Sequence, residues 1–277
     1  MEKNFQIMSS DNKRRAFFIS DGTGITAGSL GGLLAHFPDT EFEQIRIPFT
    51  DSHQKIEDAQ KRIVNAKLIN GIRPIVIMSI GNNILRSELK EVDAYYIDLF
   101  ESFIFPLGEE LNQEPITRPG VAHSMNGANY GNRIEAINFA LGHDDGMTHN
   151  GLNQAHVILV GVSRSGKTPT SIYLAMQFGI KAANYPLIPE DFERGTIPPI
   201  LEGYMDKIFG LTIQANRLSS LRSERRPDSH YASLENCKDE IKKAERLMQK
   251  LGVPIADSTS RSVEELSAII IQHINKN

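Results

Sequence analysis

Cysteine is almost absent from this chain: its 277 residues hold one thiol, Cys237. One thiol forms no disulfide within the chain and no cysteine metal cluster, which suits a reducing compartment. Long apolar runs are missing as well. No stretch approaches the roughly eighteen residues a membrane-spanning helix needs. The opening MEKNFQIMSSDNKRR has no apolar core of signal-peptide length, and its acidic residues argue against a transit sequence. The reading is a soluble, cytoplasmic protein with no membrane partner. A surplus of positive charge is missing too. Thirty Lys and Arg stand against 34 Asp and Glu, a net charge of -4, so nucleic acid is not the expected partner. The basic trio Lys13, Arg14 and Arg15 reads as a solvated lead-in to the first strand. No internal repeat or low-complexity tract appears.

With 40% hydrophobic residues, a chain of this length can bury a sizeable core in two α/β lobes or one large sheet. Its most informative stretch is Gly161, Val162, Ser163, Arg164, Ser165, Gly166, Lys167 and Thr168, which matches G-x-x-x-x-G-K-[ST] at every position. Two glycines let successive backbone N–H groups converge on a phosphate. The lysine adds a point charge, and the hydroxyl reaches a magnesium ion. The flanks have the required character. AHVILV, Ala155 to Val160, is a short apolar run fit for a buried strand, and Pro169 suits the first turn of a helix through Phe178. A plain glycine-rich strand-to-helix turn is the competing interpretation.

The rest of the chain alternates strand and helix. Arg15–Ser20 reads as a strand running into Asp21, Gly22, Thr23 and Gly24, then a helix from Ile25 to Phe37. Asp21 stands where open α/β sheets carry ligand chemistry, although a tight turn capped by Asp or Thr would look the same. Strands are expected at 42–49, 74–80 and 94–99, with helices at 51–70 and, interrupted near Pro106, at 100–111. A loop-rich stretch at 112–131 holds the lobe boundary. A helix at 133–141 leads to His143, Asp144 and Asp145, which form either a magnesium or base site or a solvated turn. Beyond the P-loop come a strand at 181–189, a proline-rich surface loop or lid at 191–204, and a strand at 207–213. A helix at 215–226 follows, carrying Arg222, Arg225 and Arg226. These arginines would grip a phosphate or form a solvated helix end. A helix at 233–251 buries Cys237, a strand covers 254–258, and Ser262 to Glu265 is a capping box opening the last helix. The fold class is α/β: an N-terminal open-sheet lobe over residues 1–140 and a C-terminal P-loop kinase-like lobe over 141–277.

FISDGTGITA at 18–27, HDDG at 143–146, GVSRSGKTPTSIYLAMQFGIKAANYPL at 161–187 and FGLTI at 209–213 form a recognisable set. Together they resemble the bacterial phosphoenolpyruvate synthase regulatory proteins, of the pyruvate, phosphate/water dikinase regulatory family, over nearly the whole chain. The resemblance implies a bifunctional serine/threonine kinase and phosphorylase. Its forward reaction would phosphorylate an active-site threonine of phosphoenolpyruvate synthase with ADP as donor. Its reverse reaction would remove that phosphate with inorganic phosphate, forming pyrophosphate. Pyruvate, phosphate dikinase is the alternative target, an ordinary ATP-dependent small-molecule kinase the alternative chemistry, and a homodimer the state the resemblance suggests. On this reading Gly161 to Thr168 hold the phosphates and Lys167 offsets charge in the transfer. Thr168 and Asp144 hold Mg²⁺, and Asp21 or Asp145 accepts the threonine proton. Arg164 joins Arg222, Arg225 and Arg226 as a candidate for the transferred group or the target.

Overall fold

A computed structural model describes residues 13–119, 121, 127–146, 148 and 150–275. The chain divides into two compact units, Met1–Met125 and Asn126–Asn277. Each is built on a four-stranded parallel sheet: β1 (Arg14–Ser20), β2 (Phe42–Ile47), β3 (Ile75–Ser79) and β4 (Tyr95–Asp98) in the first, and β5 (Val157–Gly161), β6 (Ala182–Pro186), β7 (Ile208–Thr212) and β8 (Ile255–Asp257) in the second. The spatial orders, β2-β1-β3-β4 and β6-β5-β7-β8, are the same topology used twice. In both, the first strand is central and the order reverses beside it.

The apolar runs read as strands are buried on both faces, as parallel sheets require. In the first unit Phe17 and Ile19 pack with Ile56, Ala59 and Ile63 of the helix His53–Asn70, while Ala16 and Phe18 pack with Ala27 and Leu34 on the other side. In the second, Ile158 and Val160 face the core that includes Cys237, Ile241 and Leu247. Val157 and Leu159 face Leu174, Leu266 and Ile270. Cys237 is fully buried among these side chains.

Several elements depart from the sequence reading. The expected helix at 25–37 is one short α-turn, Ile25–Ser29, continued by a 3-10 run, Leu30–His36, whose Gly31 and Gly32 weaken α-helix propagation. The break near Pro106 is a π-helical turn, Phe100–Ile104, followed by an α-helix Phe105–Leu111 that accepts proline in its first turn. A helix at Asn83–Leu89, capped by Asn82 through the amides of Ile84 and Leu85, was not anticipated. The helix Gly127–Gly142 packs on the helix after the P-loop through Ala136, Ala140 and Ala175.

The segment 191–204 is not the irregular lid anticipated from its prolines. Pro189–Arg194 is a helix whose Asp191 carboxylate accepts from the amide of Ile188 at 3.1 Å and from Arg194 at 3.1 Å. Pro199–Lys207 is a 3-10 run that buries Leu201 completely. Prolines here begin helical turns rather than prevent them.

Gly161 closes β5 at φ 151°, and a Cβ built there would stand 2.2 Å from the Leu211 carbonyl oxygen on β7. Gly161→Ala is therefore expected to cost about 3 kcal/mol through strain and forced separation of two central strands. Urea unfolding followed by circular dichroism checks it; an unchanged midpoint would show that the strands can part at no cost.

Candidate functional site

The loop between β5 and the helix Lys167–Phe178 turns on two left-handed residues, Arg164 at φ 74° and Gly166 at φ 91°. Arginine in that conformation is strained, and surrounding contacts hold it there. The Ser165 carbonyl accepts from Ser258 Oγ at 2.9 Å, and the same hydroxyl lies 2.9 Å from the Thr212 carbonyl. Ser163 Oγ meets Tyr231 Oη at 3.0 Å. Arg222 Nη2 donates to the Ser163 carbonyl at 3.2 Å. The loop is thus tied to β7, β8 and the helices beyond them.

Inside the loop Lys167 is buried, 3% exposed, and its Nζ donates to the Val162 carbonyl at 2.8 Å. It has no carboxylate ion-pair partner among the described residues. Burial pushes its pKa down to about 8, against the pull of Asp145 first and Asp144 second. Ser165 Oγ is buried beside it with no hydrogen-bond partner among the described residues. A desolvated ammonium and an unsatisfied hydroxyl in a loop of left-handed turns make a site that gains from an anion.

At the start of the following helix Thr168 Oγ1 donates to Asp144 Oδ1 at 2.8 Å. Asn184 Nδ2 donates to the same carboxylate and lies 2.9 Å from the threonine hydroxyl. Asp144, Asp145 and Gly146 form a 3-10 turn whose middle residue is left-handed at φ 48°. The turn hangs on β6, since the Asn184 amide donates to the His143 carbonyl at 2.9 Å. Asn184 Oδ1 is buried without a partner among the described residues. Thr168 Oγ1 and Asp144 Oδ1 are adjacent oxygen donors of the kind Mg²⁺ takes, and Asn184 reaches both through its amide nitrogen. Sequence reasoning missed Asn184; the available signal was one amide side chain within the apolar strand AANYP. His143 is not part of this set. Its two ring nitrogens lie 2.8 Å from the carbonyls of Phe139 and Asn150, and its ring stacks on Phe139 at 3.9 Å.

The remaining predicted residues fall elsewhere. Asp145 is exposed beside the P-loop. Asp21 belongs to the first unit, where its Oδ2 accepts from the Gly81 amide at 2.7 Å and burial raises its pKa. Arg222 is not a substrate-gripping side chain. It is fully buried, donates to Glu240 Oε2 at 2.7 Å and to the Tyr231 carbonyl at 3.0 Å, and lies 4.1 Å from the Tyr231 ring centre. Arg225 and Arg226 are exposed. Arg164 instead joins Arg217 and Arg261 around a cavity of about 380 Å³, floored by Gly166 and Thr170 and closed by the serines and threonine of 258–262.

A family model described as kinase/pyrophosphorylase matches residues 16–271. A protein of Methylobacillus flagellatus is 60% identical over 265 residues, 96% of this chain and 98% of its own. One of Aromatoleum aromaticum is 53% identical over 273 residues, 98% and 99% of the two chains. Both carry the name "Putative phosphoenolpyruvate synthase regulatory protein".

Two outcomes test this geometry. Arg222→Ala leaves Glu240 partly buried without its cation, and should lower stability by roughly 3–5 kcal/mol. Chemical denaturation measures it; a loss under 1 kcal/mol would return Arg222 to the surface cluster. Lys167 is charged below about pH 8 and neutral above it. Without divalent metal, inorganic phosphate affinity by calorimetry should therefore fall on the order of tenfold between pH 8 and 9.5, where phosphate itself no longer changes charge. Lys167→Arg should flatten that profile.

Proposed function

Because this chain belongs to the kinase/pyrophosphorylase family, we propose that its P-loop unit runs two phosphoryl transfers in one cradle and so regulates phosphoenolpyruvate synthase. In the first, the β-phosphoryl group of ADP passes to a threonine hydroxyl of the target, leaving AMP. In the second, inorganic phosphate takes the phosphoryl group from phosphothreonine, forming pyrophosphate and restoring the hydroxyl. Both reactions move one phosphoryl group between a threonine oxygen and a phosphate oxygen, so the same anion seat serves both. The target is the one carried in the relatives' name. The setting we propose is the cytoplasm; among the described residues no helix is long and apolar enough to cross a membrane.

The single observation that carries the reading is Lys167: a buried ammonium held on a backbone carbonyl, with no ion-pair partner among the described residues. Its charge would be matched by a phosphate in the loop. In the forward direction the amides of Gly161 to Thr168 surround the β-phosphate, and Lys167 offsets charge building on the bridging oxygen. In the reverse direction free phosphate takes the same position. The nucleoside of ADP fits the cavity edged by Arg164, Arg217 and Arg261, which adjoins Gly166. Mg²⁺ would be held by Thr168 and Asp144, with the Asn184 amide positioning both oxygens, and would supply charge neutralisation between the phosphates. Asp145 would accept the threonine proton; its exposure on a left-handed turn and its being the largest charge influence on Lys167 support that role.

The experiment is transfer to purified phosphoenolpyruvate synthase from β-labelled ADP, compared with γ-labelled ATP, free of adenylate kinase. Label should reach a target threonine from ADP and leave as pyrophosphate once phosphate is added. Lys167→Met should abolish both reactions. Asp145→Asn should slow the forward reaction by roughly 10²–10⁴-fold while nucleotide still binds. Transfer from ATP alone would overturn the reading, and loss of only one reaction in Lys167→Met would show two separate sites.

A further inference from the structure

The outer edge of the first sheet carries unpaired main-chain groups beside a groove. β2 is an edge strand, with β1 as its one neighbour among the described residues. The Arg14 amide donates to the Glu41 carbonyl at 2.8 Å, and Arg14 is in register with Phe42. In a parallel pair that register turns the main-chain groups of residues 41, 43, 45 and 47 toward β1. The N–H and C=O groups of Phe42, Gln44 and Arg46 therefore point away from it, and no other described strand takes them up. A row of free donors and acceptors on a sheet edge is a template for one more strand.

The side chains of the same three residues line a groove of about 490 Å³ between β2 and the helical run 25–36. Its floor is glycine. A Cβ on Gly28 would stand 3.3 Å from Arg46 Nε, and one on Gly31 would stand 2.8 Å from Gln44 Oε1, so bare backbone gives both side chains room to lie across it. One end of the groove is apolar, with Phe37, 61% exposed, beside Phe42. The other end is Arg46, which is exposed and has no ion-pair or hydrogen-bond partner among the described residues. The acid on this strand is committed elsewhere. Glu43 lies on the opposite face of β2 and is held by Arg15 at 2.6 Å.

We propose that this groove docks an extended segment of a partner protein, added antiparallel to β2 as a fifth strand on the four-stranded sheet. Main-chain hydrogen bonds to Phe42, Gln44 and Arg46 supply the hold, and alternate side chains of the added strand enter the groove. What those side chains meet sets their chemistry. A carboxylate lies against Arg46, a polar side chain against Gln44, and an apolar one against Phe37 and Phe42, in that order along the antiparallel segment. A second copy of this chain does not supply the pattern, because the outward row of its own β2 is Phe42, Gln44 and Arg46, with no acid. Nothing in this assignment depends on the transfer chemistry proposed for the P-loop.

The test is fluorescence anisotropy of a fluorescein-labelled peptide, Ser-Thr-Glu-Thr-Thr-Thr-Leu-Thr-Ser, titrated with the full chain to about 1 mM. Binding should saturate, and hydrogen exchange of the 41–47 amides should slow in the complex. Arg46→Ala, or glutamine in place of the peptide glutamate, should each weaken binding about tenfold, and the two together no further. A Cβ on Gly32 meets nothing within 4 Å, so Gly32→Leu should fill the groove and abolish binding while the thermal unfolding midpoint holds. N-methylation of the central threonine, whose amide faces Gln44, should abolish binding, and methylation one residue on should be tolerated. Absence of saturable binding overturns the proposal and leaves Arg46 as a charge that guards a sheet edge. Binding that Arg46→Ala and Gly32→Leu leave unchanged, or equal binding of the reversed sequence, overturns it as well. So does a dimer of the chain in sedimentation that Gly32→Leu dissolves, which gives the groove to a second copy. Phosphoryl transfer from ADP is scored separately, so failure here and failure of the P-loop reading are told apart.

Discussion

A lysine ammonium buried with no carboxylate ion-pair partner among the described residues is the constraint around which the second unit is arranged. Lys167 is nearly solvent-free, and its Nζ donates to the carbonyl of Val162. Desolvating that charge is unfavourable, which is why its pKa falls to about 8. The surroundings have to keep the loop from relaxing. Ser258 ties the Ser165 carbonyl to the end of β7, and Arg222, itself buried with Glu240, holds the Ser163 carbonyl. Those struts fix the backbone so that relief comes from an incoming anion rather than from collapse. Arg222 therefore acts on the site through the loop's backbone.

Both units use the same sheet order, and both lead their central first strand into a glycine turn at the point where the order reverses. The two turns differ in what they offer. Gly161 to Thr168 present a buried cation, three hydroxyls and a carboxylate-bearing neighbour turn. The Ser20–Thr26 turn presents the Asp21 carboxyl, and Phe49, whose amide donates to the Gly22 carbonyl, is left-handed beside it at φ 57°. Equal topology thus carries different side chains at its two crevices. The fold supplies a position, and the side chains decide what binds there.

The strands were legible because parallel sheets buried on both faces leave short, almost unbroken apolar runs, as RAFFIS and VILVG show. The strand and helix flanking Gly161 to Thr168 were legible because the motif between them has particular residues at fixed spacing and its neighbours are an apolar run and a proline-started helix. What the sequence hid was governed by tertiary partners. Asn184 carries no local mark of its role; only the pairing of β6 with β5, and the turn at Asp144 resting on it, bring its amide to Thr168. Arg222 looked like one of a basic cluster because helix spacing alone does not reveal that Glu240 lies across from it. The segment 191–204 looked irregular because prolines break helices inside but begin them well, and Leu201 finds a core that local sequence cannot announce.

Asp144 and Asp145 show how one turn sets adjacent carboxylates in different surroundings. Asp144 faces the threonine hydroxyl and the Asn184 amide, and both donate to its carboxylate. Asp145, one residue on, adopts φ 48°, which sends its side chain to the exposed side of the turn. On the reading proposed above, a metal ligand and a proton acceptor are asked of two neighbouring acids, and the left-handed step keeps one carboxylate among fixed donors and turns the other toward solvent. Aspartate tolerates that backbone better than most residues, and Gly146 at φ 72° completes the reversal. The same small set of turn-forming residues that made HDDG ambiguous in the sequence is thus what gives the two carboxylates their separate surroundings.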